Sequence, residues 1–244
     1  MSNQIRLYGK NRKKVPSGNS YWTDIDQWKN QIRRETGKDP LYVNVTTRSK
    51  EAWARDLSPI RMGPIDTYDE NGETLKAVSV EVAWQYSKIY SGVKRKNEIL
   101  PLAFANPDGT PKQIWRNWRD RAWNEPKFHW DHPDFPDNKI SVRRAFPKGS
   151  PIQSWFWDGE ILDAVTARKK IYAKLYCDFV QKTESFKILK GLFRENHLLI
   201  YDIDGYDYVE LGMTPEQTIR DLNHSWGHGL LLTLLLQGID PVSL

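Results

Sequence analysis

Apolar residues recur at steps of three and four through much of this chain, and helices are predicted wherever that spacing persists. From Trp22 to Thr36 the positions Trp22, Ile25, Trp28 and Ile32 follow it, and Gly37 supplies a stop signal. The same reasoning predicts helices at 79–92, 112–124, 161–181, 184–194 and 226–237. Leu41 to Thr46 is short and β-branched and reads as a strand. Between 66 and 78, Asp69-Glu70-Asn71-Gly72 separates two extended segments, and its Asn-Gly step favours a hairpin. Residues 1–20 are basic with interspersed Gly and Ser, which predicts an arm that packs late or remains mobile. The expected fold class is α+β, predominantly helical.

Within the segment beginning at Ser79, the string SVEVAWQYSKIY puts Glu81, Gln85 and Lys88 at i, i+4 and i+7, one above another on a helix. Val82, Tyr86 and Ile89 form an apolar stripe beside them. Such a helix rests on the core by one stripe and offers an acid, an amide and a cation to a small polar ligand by the other. An ordinary amphipathic helix with solvated Glu and Lys has the same pattern, so the spacing alone does not choose.

The literal string resembles the motif of the NADAR family, N-glycosidases acting on ribosides, whose helix reads approximately S-x-E-H-x-x-Q-x-x-K-F. Leu57-Ser58-Pro59 followed by Gly63-Pro64 is similar to the turn segment that precedes this helix in the family. Arg168 to Phe179, then Ile188-Leu189 and Leu198-Leu199-Ile200, are similar to its A-K-F helix, L-L-x-T turn and short strand. Ser225-Trp226-Gly227-His228-Gly229 before LLLTLLL resembles its Y-W-G-D-G segment. Two positions depart: Val82 stands where the family has His, and His228 where it has Asp.

The resemblance implies one NADAR-like domain over 1–244 with small β elements, a basic arm at 1–20 and an insertion at 94–150. It implies cleavage of the C1′–N bond of a ribosyl, nucleotide or ADP-ribosyl compound, with no cofactor and no metal. Breaking that bond develops positive charge on the sugar and needs water at C1′, so one carboxylate can serve both needs. Glu81 is the expected carboxylate. Lys88 is expected to hold a phosphate or keep Glu81 ionised, Gln85 to orient a sugar hydroxyl, and Trp84 or Trp226 to stack on the base. Ser58 is carried over as a substrate-binding residue of the turn segment. A second carboxylate falls to Asp221, with Asp204 and Asp207 as alternatives, and the proton donation the family draws from its His falls to His224 or His228.

Composition adds a rival reading. The 244 residues are 39% hydrophobic, enough for a sizeable core. Lys and Arg number 36 against 31 acids, a net charge of +5, which makes polyanions plausible partners. Between Lys94 and Arg121 seven basic residues face three acids, and IWRNWRDRAW interleaves Arg116, Arg119 and Arg121 with three tryptophans. Arginines on phosphates and indoles on bases describe a DNA or RNA surface. Equally, Trp115, Trp118 and Ala122 share one helical face and can simply be buried. This stretch supports one rival to a glycosidase, a DNA- or RNA-associated base-modification factor; the departures from the family motif at Val82 and His228 support another, a nucleotide or ADP-ribose binding protein on the same scaffold without hydrolysis.

Cys177 is the only cysteine, so no disulfide forms within the chain, and a buried structural thiol in a reducing compartment is expected. MSNQIRLYGKNRKK lacks the apolar core of a signal peptide and Leu230–Leu236 is too short for a membrane span, so a soluble cytoplasmic protein is expected. His129-Trp130-Asp131-His132 with Asp134 and Asp137 has metal-ligand types, but Pro133 and Pro136 mark an irregular loop and no metal is expected there. Near the C-terminus, Asn223 or Ser225 can cap a helix whose N–H groups face an anion, and Gly227 and Gly229 let a ligand come close. Neither a phosphate-binding G-x-x-x-x-G-K-[ST] loop nor a G-x-S-x-G elbow occurs.

Overall fold

A computed structural model of the chain describes residues 2–9, 21–68, 74–124 and 149–244. The Asp69–Gly72 turn and the His129–Asp137 stretch lie outside the described residues, as do residues 10–20 of the basic arm and 125–148 of the insertion. Helices and strands are both present with helix in excess, an α+β architecture. The chain divides into two compact units, one formed by Met1–Ser58 with Tyr176–Leu244 and the other by Pro59–Leu175.

The first unit is built on a parallel sheet in which β10 (Leu198–Tyr201) lies between β1 (Ile5–Tyr8) and β2 (Leu41–Asn44). Within the expected arm at 1–20, Ile5–Tyr8 is a sheet strand, with Ile5 and Leu7 buried and paired in register with Leu198 and Ile200. Helix α1 (Tyr21–Thr36) covers one face of this sheet through Ile25, Trp28 and Ile32, which pack with Tyr8 and Leu199. It stops where Gly37, at φ 72°, takes the left-handed conformation and donates its N–H to the Arg33 carbonyl. Helices α2 (Ala52–Arg55) and α7 (Glu184–Glu195) pack together, and α8 (Pro215–Arg220) opens with a capping box between Thr214 and Gln217. Helix α9 (His228–Leu236) is apolar all round and correspondingly buried, packing on β1 and β10.

The second unit is contiguous. The hairpin of β3 (Ile65–Tyr68) and β4 (Thr74–Ala77) forms as expected, followed by α3 (Val80–Tyr86), whose first turn is capped by the Ser79 hydroxyl accepting from the Val82 N–H. The predicted helix over 79–92 ends at Tyr86. Instead, β5 (Lys88–Tyr90) pairs antiparallel with β8 (Ile152–Trp157), and a ribbon of β6 (Gly92–Arg95) and β7 (Glu98–Pro101) follows. The Ser87 carbonyl accepts from the Phe156 N–H at 2.8 Å, so a strand distant in sequence takes the acceptor that a continuing helix would have used. Strand β9 (Glu160–Leu162) adds to β8. Helix α4 (Gln113–Asn124) packs on α3 and β4 and buries Trp115, Trp118 and Trp123, so the described part of the expected insertion belongs to the core of this unit. A long helical run then comprises α5 (Ala164–Ala167), a π-helical segment Arg168–Ala173 and α6 (Lys174–Val180). Cys177 is buried in α6. Among the described residues no helix is long and apolar enough to cross a membrane, and no group of three or more His, Cys, Asp or Glu is placed to hold a metal.

Candidate functional site

The Ser79–Tyr90 segment assembles a hydrogen-bonded chain. The Gln85 amide donates from Nε2 to Glu81 Oε1 at 2.9 Å and accepts at Oε1 from Lys88 Nζ at 2.7 Å. The three side chains meet as the sequence suggests, though Lys88 arrives from β5 and not from a third helical turn. Gln85 is thus fixed at both ends of its amide, which orients the Glu81 carboxylate. Val82, Tyr86 and Ile89 are fully buried beneath them, and the Tyr86 hydroxyl is pushed well above its ordinary pKa by that burial. Glu81, Trp84 and Gln85 are half-buried, whereas Lys88 is only 8% exposed.

Aromatic rings hold the buried cation. Lys88 Nζ lies 4.9 Å from the centroid of the Trp84 ring, and Trp84 stacks on Trp155 at 5.6 Å and meets Tyr172 at 5.3 Å. Trp155 is the cross-strand partner of Lys88, so both side chains project from the same face of the sheet. The Lys88 carbonyl accepts from Trp115 Nε1 at 2.9 Å, which anchors β5 to α4. Trp84, expected to stack on a base, is half-buried and belongs to this cluster.

The arginines expected to grip nucleic acid are distributed otherwise. Arg119 is 3% exposed, sandwiched between the rings of Trp115 and Trp123 at 5.1 and 4.9 Å and bonded to Asp120. Arg116 donates to the Pro111 carbonyl and lies over Phe156, which leaves Arg121 as the exposed member of the three. The tryptophans pack into the core, the outcome their shared face allows.

In the first unit, the cluster around α9 has a different character. Asp202, at the end of β10 and 4% exposed, accepts from the Gly229 N–H at 2.9 Å and lies 3.2 Å from His228 Nδ1. His228 Nε2 sits 3.0 Å from the Val45 carbonyl, which can only accept, so that nitrogen carries the hydrogen. Both ring nitrogens of His228 are therefore engaged in holding α9 to two strands. A Cβ added at Gly229 falls 2.6 Å from Asp202 Cβ, and one at Gly227 falls 2.8 Å from Asp202 Oδ2. The anion expected at this helix N-terminus is the carboxylate of Asp202, and the glycines make room for it and not for a ligand. Neither Asn223 nor Ser225 caps α9; Gly227 occupies the N-cap position without a side-chain bond.

Asp221 and His224 do come together: the Asp221 carboxylate contacts His224 Nδ1 and accepts from the Asn223 N–H, and Tyr206 stacks on the imidazole at 4.6 Å. Trp226 is buried with Nε1 on the Thr218 hydroxyl, an environment of packing more than of base stacking. Ser58 is buried at the end of α2. Of the alternative acids, Asp207 forms a pair with Arg6 and accepts from the Val209 and Glu210 amides. The sequence reading missed Asp202, which is masked by the acid-rich run IYDIDGYD, and Arg168, 8% exposed in the π-helical segment that packs on α3. In comparisons with known proteins, no family model and no curated protein matches this chain.

Proposed function

We propose that the chain is an N-glycosidase-like hydrolase acting on the C1′–N bond of a ribosyl, nucleotide or ADP-ribosyl compound, with Glu81 as the catalytic carboxylate. The reading is carried by the Glu81–Gln85–Lys88 chain, in which a half-buried carboxylate is oriented by an amide that is itself locked by a buried ammonium. In this chemistry Glu81 steadies the positive charge that develops at C1′ and takes a proton from the attacking water, while the base departs with the bonding electron pair. Lys88 holds the Gln85 amide in the orientation that donates to Glu81. The resemblance of SVEVAWQYSKIY to the NADAR motif supports the same assignment.

A binding protein without hydrolysis is the second reading, favoured by Val82, fully buried where the family places a His, and by His228, whose nitrogens both serve packing. The test is release of base from ADP-ribose, ribosylated pyrimidine intermediates and ADP-ribosylated DNA, followed by mass spectrometry. Glu81→Gln keeps an acceptor for Gln85, so the fold is expected to survive while turnover falls about 10²- to 10⁴-fold. Undiminished turnover in that variant sinks the assignment. Thermal stabilisation by one of these compounds without product identifies the binding protein.

A further inference from the structure

The strands β6 and β7 form a ribbon in which each strand pairs with the other. Its root is clamped: Val93 is buried, the Ser91 N–H donates to the Pro151 carbonyl, and the Lys94 N–H donates to the Ser150 hydroxyl. Its tip is basic. Lys94, Arg95 and Lys96 run into the turn against the single acid Glu98, the register partner of Arg95. Lys94 and Lys96 are exposed, and among the described residues they form no ion pair. Ile99, the partner of Lys94, leans over Gly92, where a Cβ would fall 2.6 Å from Ile99 Cγ2, and yet remains 50% exposed. Lys96 takes φ 54°, a left-handed conformation that Gly, Asn or Asp usually supplies in a two-residue hairpin turn. The turn between β8 and β9 shows that ordinary solution, with Asp158 at 51° and Gly159 at 74°. At the corner of the β6–β7 ribbon the chain instead sets an ammonium. Of the other bases up to Arg121, Arg119 is buried and Arg116 is held on a backbone carbonyl, so the α4 tryptophans do not share this character.

A ribbon of this kind carries its cations on a narrow body. Its strands lie about 4.8 Å apart and extend for about 13 Å, and the major groove of B-form DNA, about 12 Å wide, admits a two-stranded ribbon. Phosphates flank that groove, and ammonium groups that neutralise them release condensed counterions. The face shared by Lys94 and Ile99 adds an apolar group of the sort that meets a thymine methyl. The major groove of A-form RNA is too deep and narrow for side chains to read. An anionic membrane surface calls for apolar residues at the point of entry, whereas this turn is Lys96-Asn97. We propose that the β6–β7 ribbon is a binding element for duplex DNA, entering the major groove with Lys94 and Lys96 on phosphates and Ile99 toward the base edges. The assignment is independent of the chemistry at Glu81.

The experiment follows fluorescence anisotropy of a labelled DNA duplex of about 20 base pairs, titrated with the full chain at salt from about 50 to 200 mM. Duplex RNA of the same sequence, and vesicles of phosphatidylserine and phosphatidylcholine, are titrated beside it. The wild type is expected to bind the DNA duplex more tightly than the RNA duplex. Lys94→Gln combined with Lys96→Asn removes both charges, and Asn suits the left-handed turn position. That pair is expected to weaken DNA binding about 10- to 100-fold at the lower salt and to reduce the slope of log K against log salt by about 2. Ile99→Ser is expected to weaken binding severalfold with the slope unchanged. Urea midpoints show whether the variants keep their fold; if the double variant does not, Lys96→Asn alone carries the comparison with a slope change of about 1. Unchanged affinity and slope on removing the lysines overturns the proposal. So does equal binding of duplex RNA, or tighter binding of the vesicles than of the DNA.

Discussion

Among the described residues, the charged side chains buried in Pro59–Leu175 are Lys88, Arg119 and Arg168, whereas those buried in the other unit are Asp202 and Asp207, with His228 beside the first. The two sets are also satisfied differently. The acids are met by backbone amides and by single basic partners, Gly229 N–H and His228 for Asp202, and Arg6 with two amides for Asp207. Lys88 and Arg119 lie on indole faces, with Gln85 and Asp120 among their polar contacts. An acid closed by amides has its acceptors filled and serves as a pin. An ammonium resting on a ring is held by a diffuse attraction to the ring face, whereas Asp202 is held by directed bonds that tie α9 in place.

The largest effect that tests this contrast is expected at Asp202. Asp202→Ala strips His228 and the Gly229 N–H of their shared acceptor and should cost about 3–5 kcal/mol, read as a lower urea midpoint. A loss below about 1 kcal/mol removes the pin from the comparison. Arg119→Met keeps the apolar stem between Trp115 and Trp123 but deletes the charge over both rings, and a loss of about 1–3 kcal/mol is expected. Full stability in that variant means the rings hold the stem and not the cation.

The smallest effect is a pH slope. Burial pushes the Asp207 carboxyl above its ordinary range, against the opposing pull of Arg6 and the two amides. The native chain thus retains a proton that the unfolded chain has lost, so Asp207's contribution is fully present below the ordinary carboxylate range and declines as pH rises through the elevated folded value. Asp207→Asn abolishes that decline. Urea midpoints of the two proteins, compared from about pH 4 to neutrality, should show the wild type losing ground to the variant as pH rises; the opposite trend places Arg6, and not burial, in control.

Much of the helical content was legible in the sequence because its determinants are local. Ile25, Trp28 and Ile32 announce α1 and its buried face, and the Trp115, Trp118 and Ala122 spacing announces α4. That same wheel places Arg119 inside the buried arc, one step from Trp118 and four from both Trp115 and Trp123, so its burial was readable and its expected exposure was not warranted. Strand β5 was hidden because Val82, Tyr86 and Ile89 satisfy helical spacing as well as the observed helix-then-strand path; only pairing with Trp155 and Ser154 decides. Strand β1 was hidden among basic residues for a related reason, since its partner is Leu198–Tyr201. In the candidate site, the spacing of Glu81, Gln85 and Lys88 revealed the polar chain, while Asp202 and Arg168 are buried by elements that no local pattern connects to them.

The parallel sheet has a consequence for the order in which the protein is made. Its middle strand, Leu198–Tyr201, is the last of the three to leave the ribosome, and both flanking strands depend on it for their backbone partners. Ile5–Tyr8 therefore waits through almost two hundred residues of synthesis, about 10–40 s at ordinary elongation rates, before its ladder can close. Pro59–Leu175 is contiguous and is synthesised before that strand. A nascent chain halted between the two events carries one finished unit and two unpaired strands, the species in which a holding chaperone would find its substrate.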